Sequence, residues 1–283
     1  MSGLFFIFTE IQYMLSFAFM RNAFISGTAI ALTAGVIGYF MVLRGQSFAG
    51  HTISQTGFAG ASGAALLGIS PFAGLLGFTI LAAFGAGSAG NKRTQNADVA
   101  IGVILTLSLG LGVLFMNINP AFAGDTMSIL FGETLGVSSS DIAITIGLSA
   151  AALFIIALIG RPLLYVSIDP DSAIAHGVPA RTLSILFLLL LAVTIAEAAQ
   201  IVGVLLVFAL LATSSAAAGL ATGRPGLAIT LSAALAVVFV WFGLIASFFT
   251  PYPVGFYITT AAFVTYETVR FIHGRGSPVR ANK

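Results

Sequence analysis

Residues 44–68, RGQSFAGHTISQTGFAGASGAALLG, are apolar enough to lie within a bilayer, yet they carry a polar stripe. His51, Ser54, Gln55 and Ser62 fall along one helical face at spacings of three, four and seven. Moving strongly charged side chains into hydrocarbon costs roughly 2.5 to 3.5 kcal/mol each, so polar groups at this depth face protein or a water-filled path rather than lipid. Gly57, Ala59, Gly60, Gly63 and Ala64 make the opposite side small, which lets a neighbouring helix approach closely. Such a helix suits a solute pathway. From this segment alone, a purely structural role for the stripe, bonding to a neighbouring helix, stays equally open.

Composition sets the class. The chain is 58% hydrophobic and only 7% charged, with a mean hydropathy of +1.08, far from the quarter-charged composition of a soluble domain. Strands of an outer-membrane barrel would alternate every second residue. Here the apolar runs are unbroken over about 20 residues, as spanning helices require. The expected fold class is all-α and polytopic, one transmembrane domain over residues 1–283. With no cysteine in the chain, disulfides, Cys-ligated zinc and iron–sulfur clusters are excluded. A formal charge of +2 implies no nucleic-acid partner.

Residues 4–20 are apolar and aromatic but interrupted by Glu10 and Gln12, and they lack the basic start and cleavage site of a signal peptide. They read as an interfacial N-terminal helix within 1–21. Spans are expected at 22–43, at the striped segment, from the Ser70-Pro71 break to about Gly90, at 99–116 and at 142–159, the last ending at Arg161-Pro162. Residues 91–98 form a loop with Lys92 and Arg93, and 117–140 read as a short helix dipping against the bundle, bracketed by Asp125 and Glu133. In the polar segment 167–181, Asp169-Pro170-Asp171 starts a short helix and Gly177 with Pro179 ends it. Residues 182–220 are too long for one span and should turn near Glu197 to Gln200; two more spans cover 227–248 and 254–272, and the tail 274–283 reads as a disordered cytoplasmic end.

This division gives about nine spans, within a range of eight to ten. With an outside N-terminus it puts ten of the eleven basic residues, all but Arg21, on the cytoplasmic side, which is the positive-inside bias. Glu197 and Gln200, in an apolar run, are pathway candidates, although a turn there would put Glu197 at the outer water interface. His273, Tyr252, Tyr257 and Tyr266 read as interfacial residues. No intramembrane protease pair of histidines and no GxxxxGK[ST] loop is present, so the chain is read as a non-enzyme whose ATP hydrolysis, if it pumps, comes from a partner.

Four blocks in order, FMRNAFISGTAIALTAGVIGYFMVLRGQSFAGH (19–51), DTMSILFGETLGVSSSD (125–141), IDPDSAIAHGVPAR (168–181) and QIVGVLLVFALLATSSAAA (200–218), resemble the membrane permease of the ABC-3 family of bacterial ABC importers for zinc, manganese or iron. The resemblance implies a homodimer in the bacterial plasma membrane, cytoplasmic ABC ATPase subunits and an extracytoplasmic metal-binding protein. It also implies that residues 168–181 are a coupling helix seated on the ATPase, with Asp169, Asp171, Ala175, His176, Gly177 and Pro179 as its residues. Family members commonly carry Asp and, four residues on, His in a GDALSHA-like pattern thought to contact the passing metal. His51 and Gln55 stand at those positions here, and Phe58-Ala59-Gly60 replaces a stretch that tends to hold proline.

His51 and Gln55 are therefore the candidate metal contacts, with Ser54, Ser62, Glu197 and Gln200 along the pathway. Imidazole suits zinc, copper, nickel and iron, whereas manganese prefers carboxylate oxygen, so zinc is the expected substrate, ahead of manganese or iron. No resident cofactor is expected beyond the partner's ATP. The alternatives are import of a chelated metal or small cofactor and, in a different class, a structural membrane protein without substrate.

Overall fold

The computed structural model describes residues 12–88, 95–118, 132 and 139–273. Its elements are α1 (Ala18–Leu43), α2 (Ser47–Leu66), α3 (Pro71–Ser88), α4 (Gln95–Ile118), α5 (Ser139–Ile168), α6 (Pro170–Ala175), α7 (Ala180–Val202), α8 (Val204–Ala221), α9 (Pro225–Phe249) and α10 (Val254–His273). Nine of these ten helices have 18 residues or more, which agrees with the all-α polytopic architecture and is roughly compatible with about nine spans. Among the described residues five segments, 18–43, 99–118, 142–168, 180–200 and 225–249, are long and apolar enough to cross a membrane. The loop with Lys92 and Arg93, the dipping segment with Asp125 and Glu133, Glu10 and the tail lie outside the described residues.

Burial separates centre from rim. The apolar windows of α1 and α7 are 67% and 72% buried, against 17% for α4 and 22% for α5. Since lipid tails are as apolar as leucine, close packing rather than the hydrophobic effect must hold such helices together, and small residues do it here. A Cβ at Gly35 would strike the backbone of Ala233 on α9, and one at Gly38 the carbonyl of Leu211 on α8. Ser232 Oγ donates to the Gly35 carbonyl at 2.8 Å and lies 2.9 Å from Ser215 Oγ, joining α1, α8 and α9 through buried polar groups.

Three boundaries differ from expectation. The first span starts at Ala18, after a bend at Phe17, rather than at Asn22. Two rings that precede α1, Tyr13 and Phe17, pack near Phe248 at the end of α9, which sets both ends on one side. Second, α5 does not stop at Arg161-Pro162 but continues through the proline to Ile168. The missing N–H is outweighed because Leu163, directly after the proline, and Val166, one turn after it, pack in the core at 0% and 3% exposure.

Third, the turn expected at Glu197 to Gln200 is absent. Helix α7 runs on to Val202 and breaks at Gly203, whose φ of 86° and ψ of 149° form a conformation essentially reserved for glycine. Ala196 and Ala199 keep the helix going by packing with Phe58 and Ala61 of α2. By contrast, the Ser70-Pro71 break is as expected, with Ser70 Oγ accepting from the Ala73 N–H at 3.3 Å and Pro71 opening α3.

At the other side of the bundle, Arg44 at the end of α1 donates to Ser167 near the end of α5 and to Ser184 near the start of α7. Those three helix ends therefore share one side, which the positive-inside bias predicts to be the cytoplasmic one. A membrane-impermeant thiol reagent is expected to label Ala175→Cys only from the inside and Asn117→Cys only from the outside, both positions being exposed. Labelling of both from one side would overturn this orientation.

Candidate functional site

Two clusters carry the chemistry. The first lies where α2 meets the α7–α8 break. Ser54 Oγ donates to the carbonyl of Val204, the first residue of α8, at 2.6 Å, and both groups are buried. One turn below, the His51 ring meets Phe208 of α8 edge-on, with centroids 5.1 Å apart and planes at 69°. His51 is half-buried, and its Nδ1 is enclosed with no hydrogen-bond partner. The accessible edge of the ring is therefore the one away from Nδ1. Gln55 is 5% exposed and follows Ser54 on the same face, while Gln200 sits half-buried in the last turn of α7.

The structure thus joins His51 and Ser54 to the start of α8 but does not unite every candidate. Ser62 is buried and spends its hydroxyl on the Phe58 carbonyl of its own helix, at 2.9 Å. Glu197 is 1% exposed, not at the outer water interface, because α7 has no turn there. Its Oε2 accepts from Ser149 Oγ of α5 at 2.8 Å, and its Oε1 is buried without a partner. Glu197 therefore lies on the α5 side of α7, one helical step from Ala196, which packs towards α2. Phe208 was missed from the sequence because nothing in an apolar run marks which ring meets an imidazole.

Among the described residues no three of the His, Asp and Glu side chains gather as a metal-binding group would require. The side chains along this face are an imidazole, a carboxamide and hydroxyls, and the hydroxyls of Ser54 and Ser62 are already bonded to backbone carbonyls.

The second cluster is α6 and its flanks. Asp169 caps it, Oδ1 accepting from the Ser172 N–H at 3.1 Å, and Pro170 occupies its first turn. The bonds from Ser172 hold the exposed Asp169 carboxyl below the usual carboxylate range. At the other end the Gly177 N–H donates to the Ile174 carbonyl and the Val178 N–H to the Ala173 carbonyl, at 2.9 and 3.0 Å. This pair of reversed bonds needs the φ of 77° that Gly177 supplies. His176 folds back, its Nδ1 2.7 Å from the Ser172 carbonyl and its ring against Tyr165 of α5, and Pro179 leads into α7.

Six residues are too few to hold a helix in water unaided, so these caps make α6 a rigid unit. Ala173 anchors it to the core at 0% exposure, while Asp171, Ile174 and Ala175 face outward. Ile174, 58% exposed, is an apolar knob that the sequence reading passed over. Its position three residues after Asp171 was the available signal.

A family model described as the ABC 3 transport family matches residues 16–272. The Manganese transport system membrane protein MntC of Halalkalibacterium halodurans is 34% identical over 238 residues, covering 84% of this chain and 80% of that protein. The Manganese import system permease protein ScaB of Streptococcus parasanguinis is 33% identical over 256 residues, 90% of this chain and 91% of the relative. Among solved structures, PsaBC from Streptococcus pneumoniae in complex with Fab superposes with a TM-score of 0.84 at 31% identity, covering 94% of this chain and 96% of that one.

Proposed function

The chain belongs to the ABC 3 transport family, a multi-pass protein of the bacterial plasma membrane, and from that premise we propose that it is the permease subunit of an ATP-driven importer of manganese. The observation that carries the reading is α6, a rigidly capped, outward-facing helix between two spans, in a chain that has no phosphate-binding loop of its own. It is suited to receive the force of a separate ABC ATPase. Manganese is placed first because the relatives above carry manganese in their names.

Zinc, the substrate expected from the sequence, becomes the second reading, favoured by the imidazole of His51 and the absence of a carboxylate beside it. We further assign a homodimer, because one chain gathers too few ligands among its described residues and a twofold axis would double them. An extracytoplasmic metal-binding protein completes the assembly. The test is uptake by the reconstituted complex of permease, ATPase and binding protein, with manganese, zinc and iron in competition. Manganese uptake that requires ATP and dominates the competition is the expected result. Dominant zinc uptake would select the second reading, and ATP hydrolysis without uptake of any of the three would sink both.

A further inference from the structure

Arg44 closes α1 and opens the turn into α2. Its Nη1 donates to Ser167 Oγ at 3.2 Å, its Nη2 to Ser184 Oγ at 2.6 Å and its Nε to Gln46 Oε1 at 3.2 Å. The guanidinium carbon lies 5.5 Å from the centroid of Phe187, a fully buried ring that neighbours Phe40 of α1. Ser167 stands two residues before Asp169, which caps α6, and Ser184 lies in the opening turns of α7, which follows α6. One side chain therefore grips both flanks of the outward-facing helix, and it does so from the turn that leads into the striped helix.

The third bond continues the chain of contacts. Gln46 is the N-cap residue of α2, yet its side chain caps no helix N–H, because its carboxamide oxygen is held by Arg44. His51 follows five residues later. All three acceptors are neutral, and among the described residues the sole ion pair is Arg270 with Glu267. A guanidinium fork held by neutral acceptors makes directional bonds without the deep well of a buried ion pair, so it can shift between arrangements as its neighbours move.

We propose that Arg44 is the positioning residue that carries displacement of α6 into α2, and so sets where His51 and Ser54 stand against α8. The inference rests on the reading of α6 as the ATPase-docking segment. A staple of purely static value would alter stability and abundance. A transmitting residue alters the metal moved for each ATP hydrolysed.

The experiment uses the full complex of permease, ATPase and binding protein in vesicles, with manganese uptake and phosphate release read from the same sample. Arg44→Lys keeps the charge but loses the fork, and Arg44→Gln loses both. Both are expected to assemble with the ATPase and to lower metal moved per ATP at least fivefold. Spin labels at Ile168→Cys and Leu67→Cys, exposed positions in a chain without native cysteine, report the same event as a nucleotide-dependent distance change that Arg44→Gln abolishes. An unchanged ratio in both variants overturns the proposal. Should the Arg44 variants fail to assemble, the pair Ser167→Ala with Ser184→Ala removes the acceptors instead, with the same fivefold loss expected and the same unchanged ratio decisive against it. A wild-type complex that hydrolyses ATP but moves no metal overturns the reading of function and this inference with it, whereas a wild type that transports while the variants match it overturns the inference alone.

Discussion

Gly60→Leu is expected to leave little folded permease in the membrane. A Cβ at Gly60 would strike the carbonyl oxygen of Gly74 and come within 2.6 Å of Phe78 Cβ, and a Cβ at Gly74 would strike the Gly60 carbonyl in return. Backbone meets backbone here, so no rotamer relieves the clash, and α2 must separate from α3. Overpacking a tight core costs about 1 to 3 kcal/mol where side chains can give way, and more where backbone blocks the way. Against a total stability of about 5 to 15 kcal/mol, that displaces a large part of the folded population. Gly77, on the same helix α3, has nothing within 4 Å of its Cβ position, so Gly77→Ala should behave as wild type or melt slightly higher. The comparison is made on membrane abundance and on thermal unfolding in detergent. Equal behaviour of Gly60→Leu and Gly77→Ala would remove the Gly60–Gly74 contact from the account.

The small-residue side of residues 44–68 was legible because close helix approach in lipid leaves a local mark in composition, and Gly60 bears it out. The caps of α6 were legible for the same reason: Asp169, Pro170 and Gly177 act on their own neighbours in sequence. What failed were features decided by distant packing. Pro162 reads locally as a stop, yet Leu163 and Val166 reach the core and carry α5 past it. Glu197 reads as a turn in an apolar run, yet the alanines around it pack on α2, and the break waits for Gly203. That glycine stands alone between Arg181 and Gly219, so weighting glycine above charge would have found the break. The division of the stripe was beyond the sequence altogether. Periodicity can place Ser54 and Ser62 on one face, but not tell that one bonds α8 and the other its own helix.

The Ser54 and His51 contacts give the second large effect. His51→Ala is expected to lower metal uptake well over tenfold while leaving the permease assembled. The ring contributes one edge contact with Phe208 and no hydrogen bond from Nδ1, so its loss removes little packing. A cation passing the accessible edge would lose its nitrogen ligand, which for zinc binds at about 2.0 to 2.1 Å. Gln55→Ala should cost less, since a carboxamide oxygen is a weaker donor to such ions than imidazole. Pairing His51→Asp with Gln55→His recreates the arrangement common in the family, and the added carboxylate should raise manganese uptake relative to zinc. If His51 instead serves only to seat α2 against α8, the order reverses: His51→Ala then reduces abundance, and the molecules that remain transport normally. Uptake per assembled permease, measured for the three variants with both metals, separates these outcomes, and wild-type uptake per molecule in His51→Ala would take His51 out of the pathway.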